Sequence, residues 1–353
     1  MQQPILRCPR RRNARPGSRA LLSPPAALAR ALAALLLALL VGPVAAREGA
    51  EVPLHVFVSV LPLQTFVERV GGDRVVVKTL VLPGQSPATY DPTPKQIAAL
   101  ADADLYVRVG VPFERAWMPR IRAANPHMAM LDLRDGLPLR ATEAHDHDAE
   151  GDAAHAAPRP HASPAGDADR RDALDPHIWT SPRLVRHMAA AIRDTLSRLD
   201  PDGAAAYAAR QAAFDAELAA LDRELADTLA HLDSRRFLVF HPAWGYFADA
   251  YGLTQIPIER EGKSPGARRL TALIEQARAE GARVVFVQPQ FDRRAAQRVA
   301  RAIGGRVEAM DPLAPDYAAN LRRVAALIAG AGGSGGATAS SPAAPAGTAR
   351  ERP

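Results

Sequence analysis

The sequence predicts an α/β protein: two small four-stranded parallel-sheet domains joined by one long helix. Three observations carry this reading. Eight short runs rich in β-branched and other apolar residues recur along the chain, four before and four after a polar middle. Most of these runs are nearly continuous in apolar residues, as strands covered by helices on both faces require. Between the two groups, residues 203–232 carry Tyr207, Phe214, Leu218, Leu221, Leu225, Leu229 and Leu232 on one helical stripe.

Residues 1–46 come first and hold seven arginines, no acid and the apolar run "ALAALLLALLVGPVAA". Small residues Val44 and Ala46 occupy the −3 and −1 positions of a cut after Ala46, the layout of a cleaved secretory signal. Ala31 to Val41 is too short to span a bilayer comfortably. The single cysteine, Cys8, lies upstream of the apolar run, which argues against a lipid anchor and leaves the mature chain without thiols. The leader also explains the sequence pI near 9.9: its seven arginines account for the excess of 44 basic over 38 acidic residues. A nucleic-acid partner is therefore not expected.

The first domain, 47–200, has strands at 54–60, 75–81, 104–109 and 128–132, with helical patterns around 62–70, 94–102 and 113–124. Residues 141–172 almost lack large apolar side chains and read as a disordered loop containing His145, His147, His155 and His161. A helix over 182–200 follows, then the break "LDPDG" and the linker helix 203–232. The second domain, 233–330, has strands at 236–240, 254–258, 283–288 and 306–310 and a last helix near 315–329. Residues 331–353 read as a flexible tail.

Of the ten histidines, His55, His127, His187 and His231 have ordinary structural readings. His241 differs, because it directly follows the apolar run 236–240 and so stands at a strand's carboxyl end, where open α/β sheets bind ligands. Asp311 has the same placement after 306–310, and His177 stands in "DPHIW". Neutral imidazole is a common zinc ligand and a carboxylate can complete such a site. By placement alone, each of the three reads equally well as a structural polar residue.

The stretches "GGDRVVVKTLV", "PTPKQIAALADADLYVRVG", "DPHIW", "VFHPAWGYFADAYGL", "EGKSPGARRL", "FVQPQF" and "DPL" together resemble the zinc/manganese-type solute-binding proteins of bacterial ABC importers, the cluster with a rigid linker helix. The resemblance covers about 52–330. It implies two α/β domains bridged by one rigid helix with a metal cleft between them. It implies no enzymatic step, but periplasmic capture of a divalent metal and its delivery to a membrane permease driven by a cytoplasmic ATPase, by a protein expected to be monomeric. The family's second and third histidine ligands fall on His177 and His241, and its acidic ligand on Asp311. Tyr90, Asp91, Asp175, Trp179, Trp244 and Gln288 are expected around the cleft, Gln288 in a supporting role.

One position departs from the family pattern. Where relatives carry Pro-His-x-Tyr, this chain reads Pro87-Ala88-Thr89-Tyr90, and a methyl group cannot bind metal. Three outcomes stay open: a water completes a three-ligand site, a histidine of 141–172 fills the gap, or the ligand has changed. With two imidazoles to one carboxylate, Zn(2+) suits the expected site better than Mn(2+). For the histidine loop two readings stay open: weak auxiliary sites that collect zinc or sense its abundance, and a solvated linker with incidental histidines. The alternatives are a binding protein for a metal chelate or other small ligand, which the missing imidazole favours, and a metallohydrolase, for which no HExxH or nucleophile motif is present.

Overall fold

The computed structural model describes residues 52–142, 174–259 and 265–332. The leader 1–46, the loop histidines His145, His147, His155 and His161, and the tail from 333 onward lie outside the described residues.

The first lobe is a parallel sheet of β1 (Leu54–Val58), β2 (Val75–Thr79), β3 (Leu105–Arg108) and β4 (Ala129–Asp132), in the order β2-β1-β3-β4. Its helices are α1 (Leu61–Gly71), α2 (Pro94–Ala99) and α3 (Pro112–Ala124). Two long helices follow, α4 (Pro182–Leu199) and α5 (Ala204–Thr228). The second lobe repeats the arrangement with β5 (Arg236–Val239), β6 (Thr254–Pro257), β7 (Val284–Val287) and β8 (Arg306–Ala309), in the order β6-β5-β7-β8. Around it lie α6 (Gly245–Ala250), α7 (Ala267–Ala279), α8 (Arg293–Ala302) and α9 (Tyr317–Gly332).

Local chemistry explains the element ends. Thr93 and Gln96 form a reciprocal capping box at the start of α2. The helix pattern expected over 94–102 stops at Ala99, because Leu100–Asp102 form a tighter turn. The Asn125 amide fixes that turn by donating to the carbonyls of Leu100, Ala101 and Ala103. Gly72 ends α1 at φ 61°, where a β-carbon would also collide with the Arg210 guanidinium.

The expected linker helix 203–232 is realised as α5, 25 residues or about 37 Å at 1.5 Å per residue. It buries Tyr207, Phe214, Leu218, Leu221 and Leu225, and Leu229 stays buried just past its end. The helix stops four residues early because the chain must turn into β5. Arg235 seals that turn, donating to the carbonyls of Ala230 and Tyr251. At the other end of the chain, α9 runs to Gly332, past the expected limit of 329.

The core follows strand alternation. Phe237, Val239, Val284 and Phe286 face a cluster that runs unbroken through the first lobe and α5. Leu238, Phe240, Val285 and Val287 face a smaller cluster under α7 and α8. One lobe and the linker helix therefore share apolar packing with one face of the other lobe's sheet. Cross-lobe polar ties reinforce this: Trp179 Nε1 donates to the Pro312 carbonyl at 2.8 Å, and Thr65 Oγ1 to that of Pro315 at 3.1 Å.

Candidate metal centre

The carboxyl ends of all four second-lobe strands supply polar side chains to one region. His241 follows β5, Glu259 follows β6, Gln288 and Gln290 follow β7, and Asp311 follows β8. This is the edge at which open parallel sheets bind ligands. The first lobe contributes His177, held in the turn between the Asp175–Pro176 pair and α4.

The two imidazoles meet. The rings of His177 and His241 lie with centroids 5.3 Å apart and planes at 73°. Each is held at Nδ1 by a carboxylate. Asp175 Oδ1 lies 2.7 Å from His177 Nδ1 and also accepts the His177 backbone N–H at 3.0 Å. Glu259 Oε1 lies 2.5 Å from His241 Nδ1. With Nδ1–H donating to the carboxylate, each ring keeps a bare Nε2, the arrangement found at metal-binding histidines. Burial lowers the pKa of His241, against the opposing pull of Glu259, so its imidazole stays neutral and available as a nitrogen donor.

The surroundings lock both rings. Phe291 stacks on His241 at 5.0 Å and 25°, and Trp179 lies 5.2 Å from His177. The Gln288 side chain clamps the His241 backbone, donating to its carbonyl at 2.8 Å and accepting its N–H at 3.3 Å. Tyr246, from α6, accepts the Arg140 N–H at 2.9 Å and donates to the Asp175 carbonyl at 2.8 Å, fixing the segment that carries His177.

Asp311 stands apart from the pair. Its Oδ1 accepts the Gln290 side-chain amide at 3.0 Å and the Leu313 N–H at 2.9 Å. Among the described residues, no three His, Cys, Asp or Glu side chains converge closely enough to hold a metal ion. The expected convergence of His177, His241 and Asp311 is thus realised for the two histidines only, because this local turn engages the aspartate.

Four other expected cleft residues also divide. Trp179 touches His177 and reaches the loop after Asp311. Trp244 is instead a core residue, fully buried and edge-on to Phe247 at 5.9 Å. Tyr90 packs on Phe113 at 5.1 Å and donates to Gln96, while Asp91 accepts from Trp117 Nε1 at 2.9 Å; both brace the first lobe's own loop. Ala88 is exposed in that loop and offers only its methyl group. Sequence reasoning missed Glu259, Gln290, Phe291 and Tyr246. The acid after "TQIPI" has the same strand-end pattern that marked Asp311 and could have been found by it.

Two parallel-sheet lobes on one linker helix, with one imidazole from each brought together, have the architecture of a two-lobed solute-binding protein. The family described as "ZnuA: Zinc-uptake complex component A periplasmic" matches residues 56–331. The chain belongs to this family. A Paracoccus denitrificans (strain Pd 1222) protein described as high-affinity zinc uptake system protein ZnuA is 33% identical over 274 residues, spanning 73% of this chain and 82% of that protein. A crystal structure of ZnuA matches at TM-score 0.70 and 39% identity, covering 80% of this chain and 100% of the other. A zinc-bound ZnuA deletion mutant matches at TM-score 0.71 and 39% identity, covering 80% of this chain and 99% of its own.

Proposed function

We propose that this chain captures zinc in the periplasm and delivers it to the permease of an ABC importer driven by a cytoplasmic ATPase. The observation that carries this reading is the pair of carboxylate-backed imidazoles, His177 and His241, one from each lobe, 5.3 Å apart. Their spacing suits one ion. An ion bound at 2.0–2.1 Å lies about 3.2 Å from a ring centre, so two rings at a tetrahedral angle stand about 5 Å apart. Zinc is favoured over manganese because the donors already assembled are nitrogens.

Asp311 is the third ligand in this reading. It exchanges its contact with Gln290 for the ion, and a water takes the position that Ala88 leaves open. The chain works as a monomer and without a catalytic step. Residues 1–46 are removed after Ala46 and leave no lipid anchor, since Cys8 departs with them. His145, His147, His155 and His161 collect zinc without being required for the site.

Calorimetric titration of residues 47–353 with zinc, beside a version lacking 141–172, tests the proposal. Tight one-to-one binding in both, abolished by His177→Ala or His241→Ala, is the expected result. Binding only with 141–172 present would give the missing ligand to that stretch. Failure of both versions would transfer the function to a metal chelate or another ligand.

A further inference from the structure

Glu259 stands out among the acidic residues near the site. It is 1% exposed, and its backbone N–H is fixed to the Phe240 carbonyl at 3.0 Å, so strand pairing sets its position beside His241. One carboxylate oxygen meets His241 Nδ1. The other, Oε2, is buried and has no hydrogen-bond partner among the described residues. A buried carboxylate oxygen without a partner is destabilising. A residue that served only to stabilise the lobe would not be placed this way. What the carboxylate does engage is the ring of His241, through Oε1, and a carboxylate at Nδ1 is how metal-binding imidazoles are held.

We infer that Glu259 is a positioning residue for zinc: it fixes the His241 ring with Nε2 toward the ion and lends negative charge to it through the imidazole. This rests on the reading of His241 as a zinc ligand. Three contacts define the ring's pose, with Glu259 at Nδ1, Phe291 stacked on the face and the His177 ring across the gap. Only the first selects which nitrogen is bare. The matching contact at His177 comes from Asp175, which also anchors the backbone of its own turn. Among the described residues, the Glu259 side chain makes no contact comparable to that anchoring. Its removal therefore acts on the ligand more than on the fold.

The test measures zinc affinity by chelator competition and thermal midpoint without metal, for Glu259→Gln, Glu259→Leu and His241→Ala in the purified protein. Glu259→Gln keeps an acceptor for Nδ1–H but removes the charge, whereas Glu259→Leu removes both. The expected result is a 10–100-fold loss of affinity on changing Glu259, larger for leucine than for glutamine. The metal-free midpoint is expected to be unchanged or raised. Affinity within about twofold of the parent in both Glu259 variants, with His241→Ala defective, would overturn the positioning role and leave the zinc site standing. A loss of affinity that tracks a lowered metal-free midpoint would mark Glu259 as structural and overturn it equally. Parent-like affinity in His241→Ala would remove the ligand assignment itself, and the role of Glu259 with it.

Discussion

At the scale of single residues, a nitrogen donor is made by its partner. His177 and His241 differ from the other described histidines in having a buried carboxylate at Nδ1. Asp175→Asn keeps an acceptor near His177 but removes its charge, so zinc affinity should fall about 10-fold or more while His241 is untouched; chelator competition measures it. Removing a ligand should cost more than removing its supporter. His241→Ala is expected to weaken binding by more than about 100-fold. His241 was legible in the sequence because an apolar strand runs straight into it. Glu259 was not singled out, although it follows an apolar run as Asp311 does; what a linear reading does not show is that β5 and β6 are neighbours, and their pairing puts its carboxylate against the ring. The pose of Asp311 was illegible for a similar reason: the reach of Gln290 depends on how the chain turns after β7.

At the scale of elements, apolar runs located all eight strands but overshot most of their ends. Leu80, Val81, Phe240 and Ile258 continue the apolar pattern and still bond to neighbouring strands, which is why the runs looked longer than the regular ladder. Helix α5 was legible from its stripe, and its early stop was not, because the stop is made by Arg235 from outside the helix. Its start is held by Asp200, whose carboxylate accepts from Arg74, Tyr207 and the Gly203 N–H. These contacts, the Arg74 hydrogen bond foremost, lower the Asp200 pKa from 3.8 to about 2. A carboxylate lowered on folding stabilises above its unfolded pKa, so this contribution is present above about pH 4 and is lost as pH falls toward 2. Asp200→Asn should remove that part of the acid-induced drop in thermal midpoint. The exposed Ala216 lies mid-helix, and Ala216→Pro should cost about 3 kcal/mol against about 1 for Ala216→Gly, measured by denaturant unfolding.

At the scale of the whole molecule, the shared core makes the lobes and α5 one mechanical body. Unfolding of the metal-free protein should therefore be a single transition with equal calorimetric and van't Hoff enthalpies, and two resolved transitions would contradict this. Zinc should raise the midpoint by mass action, about 2.7 kcal/mol of added stability at a hundredfold excess over Kd. Under the proposed function, capture would need only local adjustment, with Asp311 exchanging Gln290 for the ion while the lobes hold their spacing. The central claim is that one zinc ion is held by two imidazoles, His177 and His241, with oxygen completing its coordination. X-ray absorption at the zinc edge on the one-to-one complex tests this most directly. The account predicts two imidazoles and two oxygen donors, unchanged when 141–172 is removed. Three imidazoles, or none, would contradict it.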